Sequence, residues 1–193
     1  RTQRTGGGGV KANETTVALV ARTVCAPDSL ACIIVRPHQI VYRDRTWVVG
    51  SDGHRFLAIA VDDTPYCPDT PATIEEKVLN MIDPWSERVI AHYDNVDDRA
   101  FRDWIGPHDW PYWLNAPRPG IIGGKPFNRN AIASLLCEFP DDAVRRIRVW
   151  IGTNGVHNVT LDSDAWRITV AGLEDKREYA RAPQWVAEKV EAA

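Results

Sequence analysis

A strand, a tight polar turn and a second strand are encoded in one short stretch, which constrains this chain more than any other. Residues 46–49 are β-branched or aromatic, Ser-Asp-Gly follows at 51–53, and the chain is apolar again up to Val61. β-branched and aromatic residues favour strands, whereas Asp and Gly favour tight turns. We therefore predict a β-hairpin from which His54 and Arg55 point to opposite sides. The hairpin is either an ordinary polar turn or a docking point for a partner.

Size and charge restrict the classes of function. The chain has 193 residues, 44% of them apolar, and a formal net charge of −3. This composition is typical of a globular protein with a sizeable core. Overall basicity is absent, which argues against a protein that coats nucleic acid, although a local basic face stays open. No apolar run approaches the roughly 20 residues of a membrane helix, and we recognise no secretory signal. We expect a cytoplasmic protein without membrane association.

The cysteines are scattered along the chain, at Cys25, Cys32, Cys67 and Cys137. A disulfide framework or a zinc site would be expected to show tighter spacing, such as a CxxC pair. We expect buried thiols in a reducing compartment.

Catalytic motifs are missing from the sequence. It contains no P-loop, GxSxG or HExxH pattern. Carboxylate and imidazole groups that could bind a divalent ion occur as two close pairs, Asp52 with His54 and His108 with Asp109. We predict that the protein is not an enzyme and has no metal or cofactor. A metal-dependent hydrolase is the less favoured alternative.

Helical and strand patterns alternate in an order that predicts the fold class. Asn13 is expected to cap a first helix that ends near Pro27, and Asn128 or Asn130 to cap a second. The second helix is predicted at 131–139, and strands are predicted at 32–36, 40–43, 146–152, 157–161 and 166–171. Three or four strands after one helix favour an antiparallel sheet with a helix across one face.

The densest basic group lies at Arg145, Arg146 and Arg148. Its place at a helix-to-strand junction favours a solvent-exposed face. From residue 146 onward, Arg148 and Trp150 alternate with apolar residues, which predicts a strand that is buried on one side.

Residues 62–119 differ in character, because prolines and aromatics are frequent there. We interpret this stretch as an insertion with short helices at 73–81 and 98–105 and a strand at 86–93. Its tryptophans Trp104, Trp110 and Trp113 are either a small cluster packed under a long loop or an exposed interface for a partner. We predict a flexible segment at 1–12, a single domain at 13–182 and a tail or short helix at 183–193.

The predicted hairpin resembles a segment of a known family. Gly50-Ser51-Asp52-Gly53-His54-Arg55-Phe56 is similar to the Ala-Thr-Asp-Gly-His-Arg-Leu stretch of bacterial DNA sliding clamps, the β subunit of DNA polymerase III. Residues 13–60 and 127–172 also follow the order of elements in one clamp domain. The resemblance therefore implies an α+β fold, a single sliding-clamp-like domain in which two helices pack on antiparallel sheets, with an insertion.

The resemblance also implies a function and its residues. A clamp-like accessory or regulatory protein of DNA replication or repair binds polymerases or other clamp-binding proteins, and serves as a processivity factor when it encircles double-stranded DNA as a homo-oligomer. The pocket for partner motifs would be lined by Ser51, Gly53, His54, Arg55 and Phe56. The helix face toward DNA would carry Lys11, Arg22 and Arg129. The alternative is a clamp-fold interaction module that does not bind DNA.

Overall fold

The computed structural model describes residues 8–25, 36–62, 67–107 and 118–173, with side chains from residue 15 onward. The chain divides into two compact units, Arg1–Leu79 and Asn80–Ala193. Helix α2, Glu75–Ile82, contains the boundary. Several predicted features lie outside the described residues: residues 1–7 of the flexible segment 1–12, residues 32–35 of the strand 32–36, the tail or short helix at 183–193, Trp110 and Trp113. The proposed domain limits therefore stay a prediction.

The first unit consists of a helix and a three-stranded antiparallel sheet. Helix α1 spans Gly8–Val24, and the strands are β1 His38–Tyr42, β2 Arg45–Ser51 and β3 Arg55–Val61. β2 lies between β1 and β3. The core of this unit contains Val20, Val24, Val48, Phe56 and Leu57, each at most 1% exposed.

Helix α1 begins earlier than its sequence predicted. Asn13 was expected to be the cap, but the helix starts at Gly8 and continues through Asn13. Each helical glycine costs about 1 kcal/mol relative to alanine, which weakens a helix without forbidding it. A cap residue inside a helical stretch therefore did not mark its start.

A glycine allows α1 to pack closely on β2. A Cβ atom at Gly50 would lie 2.6 Å from Val20 Cγ1 and 2.8 Å from Cys25 Sγ. The strand and the helix approach each other at a distance that only glycine permits. Packing in this unit therefore depends on the residue that immediately precedes the polar turn.

The second unit contains a four-stranded antiparallel sheet in the order β4-β7-β8-β9. Its strands are β4 Val89–Asp94, β7 Arg146–Ile151, β8 His157–Asp162 and β9 Trp166–Ala171. A short 3-10 helix, Ser86–Arg88, precedes β4. The helices are α3 Asp98–Ile105 and α4 Arg129–Leu136, and a separate hairpin pairs β5 Pro119–Ile122 with β6 Lys125–Asn128.

The structure confirms the predicted α+β class with antiparallel sheets. Helix α3 and the last three strands lie at their predicted positions. Asn128 caps α4, since its Oδ1 accepts a hydrogen bond from Asn130 N at 3.0 Å. The β5–β6 hairpin was missed, because four-residue strands leave little alternation to read. Its turn is made by Gly123 and Gly124, both at positive φ, as two-residue hairpin loops require.

Strand β7 departs from its predicted pattern. The alternation suggested one buried side, but Arg148 and Trp150 are also buried, at 8% and 3% exposure. β7 is an interior strand of its sheet, between β4 and β8. Arg148 is held by the carboxylates of Asp83 and Asp162. The expectation of a solvent-exposed basic face is therefore wrong for Arg148, whereas Arg145 and Arg146 are exposed.

Candidate functional site

The turn between β2 and β3 is fixed by the side chains of Asp52 and Ser51. Asp52 Oδ1 accepts hydrogen bonds from His54 N at 3.0 Å and Arg55 N at 2.7 Å. Ser51 Oγ accepts one from Gly53 N at 3.1 Å and donates one to Arg55 O at 2.8 Å. Gly53 has a φ of 90°. Each of these bonds closes the loop on itself, so the turn holds one conformation before any ligand arrives.

The residues predicted to line a pocket divide into a buried and an exposed set. Ser51, Arg55 and Phe56 are 8%, 2% and 1% exposed. Gly53 and His54 are exposed. A ligand that approaches the turn from solvent would therefore meet Gly53 and His54 first, whose backbone N–H groups are held by Ser51 and Asp52.

Arg55 ties the turn to helix α1. Its Nε donates to Asp52 Oδ2 at 2.8 Å, and its Nη2 donates to the backbone oxygen of Thr23 at 2.8 Å. Thr23 lies in the last turn of α1, where unsatisfied carbonyl oxygens carry partial negative charge and attract cations. The Arg55 guanidinium therefore lies between the Asp52 carboxylate and the C-terminal end of α1, and it donates a hydrogen bond to each.

The three basic residues predicted to face DNA are divided between the two units. The side chain of Lys11 is not described, and Arg22 lies in the last turn of α1 in the first unit. Arg129 begins α4 in the second unit, where its Nη1 donates to Trp104 O at 2.7 Å and its guanidinium carbon lies 5.4 Å from the Trp104 ring centre. Trp104 is half-buried and also lies near Phe101, with 6.0 Å between ring centres.

A buried carboxylate at Asp162 is a feature that sequence reasoning missed. It is 1% exposed, and its oxygens lie 2.7 Å from Arg148 Nη2, 3.2 Å from Arg167 Nε and 3.4 Å from Arg146 Nε. Burial raises the pKa of Asp162, and the neighbouring guanidiniums oppose that shift. Two of its three arginines belong to the basic group seen in the sequence, but nothing local identifies their common partner. This network joins β7, β8 and β9.

Metal-ligating residues are not gathered in the part of the chain that the structure describes. No group of three His, Cys, Asp or Glu side chains able to hold an ion occurs among those residues. His108 and Asp109 lie outside them. Among the described cysteines, Cys137 is exposed and Cys25 and Cys67 are half-buried, which corrects the expectation of buried thiols. Cys32 is not described. None of the helices in the described ranges is long and apolar enough to cross a membrane.

Solved structures that are similar to this chain include two bacterial sliding-clamp subunits. No protein-family model matches the chain, and no curated protein matches it. The DNA polymerase sliding clamp from Pseudomonas aeruginosa is similar with a TM-score of 0.49 and 12% identity, over 87% of this chain. The DNA polymerase III beta subunit from Thermotoga maritima is similar with a TM-score of 0.45 and 6% identity, over 89% of this chain. The chain spans 64% of the length of each.

Proposed function

We propose that this protein is a sliding-clamp-like accessory or regulatory factor of DNA replication or repair, which acts by binding partner proteins and catalyses no reaction. The observation that carries the proposal is the β2–β3 turn, where the family-like Ser-Asp-Gly-His-Arg sequence presents Gly53 and His54 to solvent on a backbone fixed by its own side chains. A peptide from a DNA polymerase or another clamp-binding protein docks there.

The rigidity of the turn supports this role. A loop that is ordered before binding loses little conformational entropy when a ligand arrives, so more of the contact energy appears as affinity. Gly53 lacks a side chain and leaves room for a peptide backbone, while the imidazole of His54 offers a donor, an acceptor and a flat apolar surface. Ser51, Arg55 and Phe56 contribute by shaping this surface from below.

Double-stranded DNA and self-association belong to the same proposal. Helix faces that carry Lys11, Arg22 and Arg129 would neutralise phosphates without reading sequence. A homo-oligomer would supply the further domains of a ring, and its location would be the cytoplasm. The alternative is a clamp-fold interaction module without DNA binding. It is favoured by the formal net charge of −3, which gives the chain no overall attraction to DNA.

Peptide binding tests the proposal. A fluorescein-labelled peptide that carries the clamp-binding motif of a replicative polymerase is titrated with the protein, and anisotropy is recorded. We expect saturable binding that weakens about tenfold in His54→Ala, as for the loss of a central contact. His157→Ala, which removes a histidine from β8, is the matched control and should bind as the wild type does. Equal affinity of His54→Ala and the wild type for the peptide would mean that the turn does not bind it.

Light scattering and DNA binding separate the two forms of the proposal. A concentration-dependent oligomer that retains circular DNA but releases linear DNA supports encirclement. A monomer or dimer that binds the peptide and no DNA supports the interaction module. Failure to bind peptide together with failure to associate would overturn both.

A further inference from the structure

Two arginines converge on the C-terminal end of helix α3. Arg129 Nη1 donates to Trp104 O at 2.7 Å. Arg118 Nη2 donates to Pro107 O at 2.6 Å and to Ile105 O at 3.4 Å. The last carbonyl groups of a helix attract cations, which explains why guanidiniums collect there. The two side chains are close enough for the charge of Arg118 to lower the pKa of Arg129.

Glycines make room for both guanidiniums. A Cβ atom at Gly120 would lie 2.6 Å from Trp104 Cζ2 and 3.0 Å from Arg129 Cδ. A Cβ atom at Gly106 would lie 3.0 Å from Arg118 Nη1, and Gly106 also has a φ of 79°. A side chain at Gly120 would therefore displace the indole, and one at Gly106 would press on Arg118. The arrangement is built into the backbone.

Among the residues that the structure describes, no carboxylate neutralises the positive charge of this pair. In the ranges that the structure describes, neither Arg118 nor Arg129 forms an ion pair with a carboxylate. Their recorded acceptors are the neutral carbonyl oxygens and the side-chain oxygen of Asn130. Arg129 Nε is buried and has no acceptor among the described residues. Burial, followed by repulsion from Arg118, lowers the pKa of Arg129.

We propose that Arg118, Arg129 and Trp104 form a phosphate-binding site, the α3-end site. Guanidinium groups match the geometry of phosphate oxygens with paired N–H donors, and each charge-assisted bond is about twice as strong as a neutral one. Two guanidiniums balance a phosphate dianion. The Trp104 ring fixes the orientation of Arg129 by cation–π contact, so the donors need little reorganisation. The phosphate belongs either to a nucleic-acid backbone or to a small phosphate ester. The site does not depend on the proposed partner-binding role of the turn.

Nitrogen-15 NMR of the arginine side chains tests the α3-end site on the whole chain. Inorganic phosphate is titrated against a sodium chloride series of equal ionic strength, and the Nε–H resonances are followed. We expect saturable shifts of the Arg118 and Arg129 resonances with phosphate and not with chloride. Arg129→Lys, which keeps the charge and removes the fork, assigns one resonance and should weaken phosphate binding about tenfold. Arg99→Lys, on the exposed side of α3, is the control and should leave binding unchanged.

A second measurement identifies the source of the phosphate. A short DNA duplex without terminal phosphates is added to the phosphate-saturated protein. Displacement of phosphate shifts the same resonances and assigns the site to a phosphodiester backbone, while unchanged resonances assign it to a small phosphate ester. Equal shifts with chloride and phosphate, or equal phosphate affinity in Arg129→Lys, would overturn the proposal. The comparison of phosphate with chloride on the wild-type protein tests the site even where a variant does not fold.

Discussion

Replacement of Arg55 by alanine should destabilise the protein strongly, although Arg55 lies next to the exposed turn. The guanidinium is 2% exposed and makes two charged hydrogen bonds, to Asp52 Oδ2 and to the backbone oxygen of Thr23, each at 2.8 Å. Its removal takes one donor from the Thr23 carbonyl and one guanidinium from the Asp52 carboxylate, which is only 11% exposed as a side chain. The truncation also opens a cavity beneath the turn.

The expected loss follows from the burial of the pair. Removing one partner of a buried ion pair costs about 3–5 kcal/mol, because the other charge stays desolvated. Asp52 Oδ1 still accepts two backbone N–H groups, which keeps the carboxylate partly satisfied and argues for the lower half of that range. We expect the free energy of unfolding to fall by about 3–4 kcal/mol.

Urea denaturation followed by tryptophan fluorescence measures this change. Arg36→Ala is the control, because Arg36 is exposed and its removal should change stability by less than about 0.5 kcal/mol. A loss below about 1 kcal/mol in Arg55→Ala, with an unchanged denaturant slope, would refute the structural role of Arg55. Loss of peptide binding in that variant would then be attributable to a lost contact.

Three smaller perturbations test other parts of the structure. Gly50→Ala should lower the free energy of unfolding by about 1–3 kcal/mol in urea titrations, because its methyl group would lie 2.6 Å from a helix α1 side chain; equal stability would contradict that packing. Burial, and then the charge of Asp69, raises the pKa of Cys67 to about 11. Ellman's reagent should therefore modify Cys67 more slowly than the exposed Cys137 at pH 8. Faster modification of Cys67 would be inconsistent with this burial. Burial, and then the charge of Lys125, lowers the pKa of His157. Proton NMR titration of Lys125→Gln should therefore give a higher pKa for His157 than in the wild type. An unchanged pKa would exclude the charge of Lys125 as a cause.

Features set by neighbours in the sequence could be predicted from the sequence. The β2–β3 hairpin follows from Asp52 and Gly53, whose turn chemistry acts over three residues. Helix α3 follows from its own pattern and ends at Gly106, which has a positive φ. In each case the residues that cause the structure lie within a few positions of it along the chain.

Features set by distant residues could not be predicted. Asp162 pairs with Arg148, and Arg148 also pairs with Asp83, sixty-five residues away along the chain. The exposed or buried state of Arg55 depends likewise on Thr23 in α1. Sequence spacing identifies charged residues but does not determine which of them meet inside the fold. The pocket assignment stays a prediction, and the structure adds which of its residues are buried and which are exposed.

Amide NMR of the whole chain with the polymerase-type peptide tests the proposed function most directly. Chemical-shift changes report which backbone groups meet the peptide, independently of any substitution. We expect saturable chemical-shift changes centred on the amides of Gly53 and His54, with smaller changes in β2 and β3. Changes confined to other segments, or no change at peptide saturation, would contradict the claim that this turn captures a partner.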